Sequence, residues 1–335
     1  GDPQRGVCSL PPRPLPCLHV RLLHRIGDGQ SAIVWQGECD DGQRVAVKVW
    51  RETETMAGFA APVLRELHFT AAHAHPSLTP ALGYTRDPLG LVLPLGLPLP
   101  QLLSTLYQPT AAPPPLDVIV ALCHHAATAV SHCHAAGLLH RDVKTDNFIL
   151  VNGMLSLTDW GSARRQPVSL LSGTLAALEQ PLSPNVGTYR FAAPEVLLSL
   201  PHSEAADVWS LGVTLAAICS GTALFAGVGA VAIFAEQLTV LGSPAASASR
   251  WPALLQLAPA VADLAMEGTT LNRLDERLAA MSRCLAREPR LRSLVHATLH
   301  WNPAVRCRAA TLVAQSTLFS TCTPAPLVLE RFGVR

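Results

Sequence analysis

The residues with the clearest chemical potential lie in the octet HRDVKTDN, which runs from His140 to Asn147. The octet contains a carboxylate at Asp142, an ammonium at Lys144 and an amide at Asn147. These groups are suited to accept a hydroxyl proton, to neutralise a transferring phosphoryl group and to bind a divalent ion. Asp159, 17 residues after Asp142, offers a second hard oxygen ligand of the kind that Mg²⁺ prefers. This spacing predicts phosphoryl-transfer chemistry.

A glycine-rich turn at Gly27 and Gly29 lies upstream, between two β-rich runs. Glycines let backbone N–H groups approach phosphate oxygens closely, although a purely structural hairpin has the same composition. A dinucleotide-binding fingerprint would need a helix after the glycines and an acidic residue about 20 positions on. Here a strand follows, and Lys48 stands 21 residues after Gly27. The turn therefore favours a phosphate site of a different kind.

Lys48 ends the strand-like run Val-Ala-Val-Lys, where a lone lysine usually points to solvent. A cation that binds phosphate needs a fixed anionic neighbour, and Glu66 in the next helix is the candidate. The alternative is that Glu66 is a solvated carboxylate on a helix face. Only two of the 25 basic residues are lysines, Lys48 and Lys144. Because arginine serves everywhere else, we interpret both lysines as compact ammonium groups kept for phosphate contact.

The composition excludes several classes of protein. The 335 residues are 49% apolar and 15% charged, with a formal net charge of +1, which favours neither disorder nor binding to nucleic acid. The nine cysteines are scattered and form no C-x-x-C pair, so we expect a reducing compartment and no disulfide framework. A zinc site is the alternative for the helical cluster Cys123, His124, His125, His132, Cys133 and His134, which we consider a weak candidate.

The elements that must position these residues divide the chain in two. Residues 1–17 contain five prolines and are predicted to be an extended, flexible tail. Residues 18–96 have strands joined by turns, including an Asp41-Gly42 hairpin and a strand over residues 78–84, and a helix near residues 61–74. The segment PLGLPLP at residues 94–100 is predicted to be an ordered connector rather than a helix. Residues 97–321 are mainly helical, with one helix predicted over residues 275–286, and residues 322–335 form a C-terminal tail. The fold class is therefore α+β, with a small β-rich lobe before a larger helical lobe.

One segment, Val208–Ala235, has 28 residues without a formal charge and passes the length test for a membrane span. It is interrupted by Gly212, Ser220, Gly221, Gly227 and Gly229, and it lacks flanking basic clusters. We interpret it as a buried helix followed by a loop and expect no membrane contact. A membrane-anchored protein is the alternative.

Taken together, the motifs resemble those of eukaryotic-type protein kinases, in the family's order from about residue 19 to residue 320. That family has a glycine loop, a strand lysine, H-R-D-x-K-x-x-N, D-F-G and A-P-E. The corresponding residues here are Gly27 and Gly29, VAVK ending at Lys48, the octet, Asp159-Trp-Gly and Ala193-Pro-Glu. The resemblance implies the two-lobed kinase fold and transfer of the γ-phosphoryl of ATP to Ser or Thr hydroxyls of protein substrates.

The resemblance also implies a role for each residue. Asp142, Lys144 and Lys48 are expected to be catalytic: Asp142 as the base, Lys144 at the γ-phosphate and Lys48 at the α/β-phosphates, paired with Glu66. Asn147 and Asp159 are expected to hold Mg²⁺. The residues expected around ATP are Ile26, Gly27, Gly29, Val34, Ala46, Lys48, Glu66, Leu93, Pro94 and Gly96. Outside the site, Glu195 is expected to pair with Arg306, and Asp207 to brace the catalytic loop.

Further motifs resemble the cyclin-dependent, MAP and casein kinase 2 group, namely L-F-x-G from Leu224, L-G-S-P from Leu241 and Trp251-Pro. The helix around Glu66 lacks a cyclin-binding signature, which argues against cyclin dependence. An activating kinase or a cyclin-like partner is a hypothesis for this chain. The candidate positions for activating phosphorylation are Ser169, Ser172, Thr174 and Ser183, and the alternative is a solvated serine-rich loop. We expect an intracellular protein, in the cytoplasm, the nucleus or both. The alternative function is a pseudokinase, a scaffold that binds nucleotide or protein partners without turnover.

Overall fold

A computed structural model describes residues 14–29, 31–51, 61–73, 75–110, 112–166, 188–244, 251, 271–315 and 317–320. The chain divides into two compact units. The first comprises residues 1–97 together with Thr158–Ser162, and the second comprises residues 98–157 and 163–335. The predicted boundary lay near residue 96. The prediction placed Asp159 in the second lobe, whereas the structure groups the short stretch that carries Asp159 with the first unit. The first unit is rich in strands and the second in helices, so the α+β prediction is confirmed.

The first unit is built on a five-stranded antiparallel sheet with the strand order β1-β2-β3-β5-β4. The elements are β1 Val20–Asp28, β2 Ala32–Cys39, β3 Arg44–Trp50, helix α1 Ala61–Ala72, β4 Gly83–Arg86 and β5 Leu89–Pro94. The two-residue strand β6 Leu97–Pro98 is not part of this sheet and falls at the boundary between the units. Apolar residues alternate along β3: Val45 and Val47 pack with Val92, whereas Ala46 packs with Leu91 and Leu93. Because both faces of β3 are buried, Lys48 is held on a strand that cannot slip.

The chain before β1 is also fixed to this sheet. The N–H of Leu18 donates to the carbonyl of Tyr84 at 2.8 Å, and the N–H of Tyr84 donates to the carbonyl of Pro16 at 3.0 Å. Leu15 packs against the core. The flexible tail predicted over residues 1–17 is therefore wrong at its C-terminal end, because the edge strand β4 offers backbone groups that the chain can pair with. Residues 1–13 and the predicted tail 322–335 lie outside the described residues.

The second unit consists mainly of helices. Its described elements are α2 Leu99–Leu106, α3 Leu116–Ala135, β7 Leu138–Leu139, β8 Phe148–Val151, β9 Met154–Leu157, β10 Arg164–Arg165, α4 Pro194–Leu197, α5 Glu204–Ser220, α6 Ala230–Leu241, α7 Leu274–Met281, α8 Arg283–Arg287, α9 Pro289–Thr298, α10 Ala309–Gln315 and α11 Thr317–Ser320. Short 3-10 turns cover Thr145–Asn147 and Thr188–Phe191. Helix α5 begins with the side-chain cap of Ser203 and is buried along almost its whole length, so it forms the centre of this unit.

Three element predictions were wrong in detail. Helix α2 begins inside the proline-rich segment that we expected to be a connector, since Pro100 falls in its first turn, where no N–H donor is needed. The helix predicted over 275–286 is interrupted at Ser282, whose extended backbone ends α7 and caps α8. The strand predicted from Leu78 starts only at Gly83.

Two segments have the apolar character of a membrane span. Within Val208–Ala235 the structure has most of α5, a loop and the first half of α6, so the interpretation as a buried helix followed by a loop is confirmed. Among the described helices, α3 is long and apolar enough to cross a membrane, but 67% of its apolar window is buried within the protein. Such burial is ordinary for a core helix.

Candidate active site

Lys48 is the centre of an ion-pair cluster in the first unit. Its Nζ lies 2.7 and 2.8 Å from the two carboxylate oxygens of Glu66 and 3.0 Å from Oδ1 of Asp159. The side chains of Lys48 and Glu66 are only 12% and 3% exposed. The predicted pairing of Lys48 with Glu66 is therefore confirmed, and the solvent-facing alternatives for both residues are wrong.

The two carboxylates decide the charge of Lys48. Burial on its own would lower the pKa of this ammonium, but the negative charges of Asp159 and Glu66 and their hydrogen bonds raise the pKa above its usual value. Lys48 is thus a permanent cation at neutral pH, with three donors that are held in place. A cation in this state is suited to bind phosphate oxygens.

Asp159 is held by its neighbours in the same unit. Its backbone has a positive φ of 65°, an uncommon conformation for a residue with a side chain. The carbonyl of Gly161 accepts a bond from Nε of Arg65 at 3.1 Å, and the buried ring of Trp160 lies 6.5 Å from that of Phe69. Helix α1 therefore supplies both Glu66 and the contacts that fix Asp159. The carboxylate of Asp159 remains 41% exposed.

The remaining residues expected around a nucleotide also lie on the first unit's sheet. Gly27 is opposite Val34, Val34 is opposite Lys48, and Ala46 is opposite Leu93 in the strand register. Ile26 is 43% exposed, whereas Ala46 and Leu93 are 8% and 7% exposed. Leu93 and Pro94, also expected around ATP, lie at the end of β5, and Gly96 follows that strand by two residues. The sheet thus brings the predicted residues Ile26, Gly27, Gly29, Val34, Ala46, Leu93, Pro94 and Gly96 into one unit with Lys48.

The octet forms a hydrogen-bonded loop in the second unit. Lys144 Nζ donates to Oδ2 of Asp142 at 2.8 Å, and Nδ2 of Asn147 donates to the same oxygen at 2.9 Å and to the Asp142 carbonyl at 2.7 Å. The structure therefore brings together Asp142, Lys144 and Asn147 as predicted. Two donors on one oxygen fix the orientation of the Asp142 carboxylate, as a general base requires.

Asp207 braces this loop from helix α5. Its carboxylate accepts the N–H groups of His140 and Arg141, both at 2.8 Å, and contacts Nε2 of His134 at 3.1 Å. Burial alone would raise the pKa of Asp207, but the hydrogen bond and charge of His134, with His140 and the Arg141 N–H, hold this pKa below its usual value. These bonds offset the strain of the positive φ of 68° at Arg141. The predicted role of Asp207 is confirmed.

His134 was missed as a structural partner by sequence reasoning. It lies in the last turn of α3, and its side chain is 8% exposed. The sequence and the kinase resemblance placed it in the helix that ends just before the octet, but we predicted no partner for it. Among the described residues, no group of three or more metal-binding side chains is assembled.

The ion pair between Glu195 and Arg306 is completely buried in the second unit. Nη2 of Arg306 lies 2.7 Å from a carboxylate oxygen of Glu195, and the guanidinium stacks 4.9 Å from the ring of Trp209. This predicted pair is confirmed. The four candidate phosphorylation positions, Ser169, Ser172, Thr174 and Ser183, lie outside the described residues.

The donor groups suit the cofactors that the motifs imply. Asp159 keeps an exposed carboxylate beside a permanent ammonium, and the Asn147 side chain uses its nitrogen on Asp142, which leaves its amide oxygen as the atom for a cation. A carboxylate and an amide oxygen are hard ligands, as Mg²⁺ requires. The residues of each unit therefore fit Mg²⁺ and a polyphosphate.

Comparison with known proteins is consistent with this chemistry. The family model described as "Protein kinase domain" matches residues 20–318. GLH-binding kinase 1 of Caenorhabditis elegans is 28% identical over 69% of this chain and 58% of its own length. Human cyclin-dependent kinase 11B is 28% identical over 78% of this chain and 32% of its own, and cyclin-dependent kinase F-4 of Oryza sativa subsp. japonica is 26% identical over 94% and 64%. The chain thus spans about a third to two thirds of these relatives.

Proposed function

Because the chain belongs to the protein kinase family, we propose that it is an active Ser/Thr protein kinase that transfers the γ-phosphoryl of Mg·ATP to hydroxyl groups of protein substrates. The match over residues 20–318 confirms the family resemblance of the motifs. The observation that carries the proposed activity is the orientation of the Asp142 carboxylate by Lys144 and Asn147. A scaffold without turnover would have no use for this arrangement.

Each charged group has a separate task in the proposed reaction. Asp142 accepts the proton of the substrate hydroxyl, because the bonds from Lys144 and Asn147 hold its carboxylate in place within the loop. Lys144 leaves Asp142 to contact the γ-phosphate, and Lys48 binds the α/β-phosphates. Asp159 and Asn147 would hold Mg²⁺, which would supply positive charge to neutralise the phosphates. Positioning and charge stabilisation, rather than covalent chemistry, lower the barrier.

Specificity for Ser and Thr is supported by Lys144, since a lysine two residues after the catalytic aspartate marks Ser/Thr kinases in the family. Two of the relatives are cyclin-dependent kinases by name, which supports a kinase of that group. A cyclin-like partner and an activating kinase remain proposals for this chain, and so does an intracellular location.

The first test measures nucleotide binding and phosphate transfer in the same preparation. We expect wild-type protein to bind Mg·ATP and to transfer radiolabelled phosphate to a generic basic protein substrate. Lys48→Met removes the ammonium but keeps a side chain of similar length, so transfer should fall at least about a hundredfold, as for loss of a preorganised charge. Arg44→Met, on the same strand but paired with Glu38 at the surface, is the control and should keep wild-type transfer.

The pseudokinase alternative predicts a different pattern. A scaffold would bind Mg·ATP in the wild type and lose binding in Lys48→Met, yet phosphate transfer would be the same in both proteins. That result, obtained also after treatment with an activating kinase, would contradict the proposed activity and leave the family assignment intact.

A further inference from the structure

Arg51 follows β3 directly and contacts the tip of the glycine turn in the same unit. Its Nε and Nη2 atoms donate to the carbonyl oxygen of Gly29 at 3.2 and 3.1 Å. Nη2 also pairs with the carboxylate of Asp28. Such a fork-shaped contact is available to the planar guanidinium and not to an ammonium, since it needs two adjacent donors in one plane.

The backbone of Arg51 secures the other side of the turn. Its N–H donates to the carbonyl of Ser31 at 3.0 Å, and within the turn the N–H of Gly29 donates to the carbonyl of Ala32 at 2.9 Å. Arg51 is thus bonded on both sides of the tip. A glycine backbone rotates easily, and rotation at Gly29 would turn its carbonyl oxygen, which repels phosphate, towards a bound nucleotide. The bond to Arg51 opposes this rotation.

We infer that Arg51 is a positioning residue, a latch that keeps the glycine turn in the form that receives the nucleotide phosphates. The inference rests on the proposed function, because it assumes that phosphates bind at this turn. The side chains of Arg51 and Asp28 are 38% and 60% exposed, so solvent weakens the interaction between them. Arg51 therefore modulates the affinity for Mg·ATP and leaves the chemical step to other residues.

The test compares Arg51→Gln with Arg44→Gln, an arginine at the opposite end of β3 that is 52% exposed and pairs with Glu38. We expect Arg51→Gln to raise KM for ATP and Kd for Mg·ATP about fivefold, the factor that corresponds to one charge-assisted contact weakened by solvent. The value of kcat should stay within about twofold. The KM and Kd of Arg51→Lys should lie between those of wild type and Arg51→Gln, because lysine keeps the positive charge but lacks two adjacent donors in one plane.

A measurement without turnover separates this inference from the proposed function. Amide hydrogen exchange at Gly29 and Ser31 should be faster in Arg51→Gln than in wild type, and unchanged in Arg44→Gln. If wild-type protein transferred no phosphate, the proposed function would fail, and Kd for Mg·ATP together with this exchange would still decide the role of Arg51. Unchanged exchange at the turn, or a KM and Kd equal to those of Arg44→Gln, would overturn the inference.

Discussion

Replacement of Arg306 by Met is the most demanding test of the second unit's packing. The guanidinium is completely buried, as is its partner carboxylate on Glu195. Removing one member of a buried ion pair typically costs about 3–5 kcal/mol, because the other charge is left without a partner. The same guanidinium also donates to the carbonyls of His300, Ala205 and Trp301 at 2.7, 2.9 and 3.2 Å. We therefore expect a loss of about 5 kcal/mol in the free energy of unfolding.

Urea unfolding followed by tryptophan fluorescence and far-UV circular dichroism measures this loss, provided that the two transitions coincide. Arg308→Met is the matched control, since Arg308 is 80% exposed and lies 3.5 Å from Glu204. Its replacement should cost less than about 0.5 kcal/mol. The double variant Glu195→Leu/Arg306→Met should recover part of the loss, because no orphaned charge remains. If Arg306→Met were no more harmful than Arg308→Met, the reasoning would be refuted.

Two further predictions concern close packing and acid stability. Gly212→Ala should destabilise the protein by about 1–3 kcal/mol, because the added Cβ would lie 1.9 Å from Oγ1 of Thr298. Urea unfolding measures this loss, and an unchanged urea midpoint would contradict the tight contact between α5 and α9. Burial, with a smaller effect of His124, lowers the pKa of His125 from 6.5 to about 4, so the neutral form stabilises the fold fully above pH 6.5 and this stabilisation is lost as the pH falls towards 4. The free energy of unfolding of wild type and of His125→Gln is measured at pH 7 and at pH 4.5. The decrease between the two pH values should be smaller in His125→Gln by on the order of 2–3 kcal/mol. Equal decreases would show that His125 does not titrate in this way.

The chemistry-bearing residues were predictable because each belongs to a short local pattern. The hairpin at Asp41-Gly42 forms, with a positive φ of 84° at Gly42, and it sets the register that places Lys48 on a buried strand. The pairing of Lys48 with Glu66 followed from the need of a buried cation for an anion. Such requirements depend on residue type and approximate spacing, which the sequence contains.

The features that escaped prediction depend on contacts between distant segments. The guanidinium of Arg51 reaches Gly29 only because β2 and β3 pair in a particular register, and no local pattern indicates this. The hydrogen bonds of Pro16 and Leu18 with Tyr84 could be predicted only if β4 were already known to be an edge strand. Local propensity also misled us at Pro100, where a residue that ends helices stands in the first turn of one.

The most direct measurement of the central claim is the rate of phosphate transfer by Asp142→Asn compared with Asp146→Asn. The two aspartates lie in the same loop, but the carboxylate of Asp142 is held by Lys144 and Asn147, whereas Asp146 is exposed and contacts Thr145. We predict that transfer falls by about 100-fold or more in Asp142→Asn, as for loss of a general base, while Mg·ATP binding is retained. Asp146→Asn should transfer phosphate at about the wild-type rate. Equal transfer by the two variants would contradict the assignment of Asp142 as the base and, with it, the proposed activity.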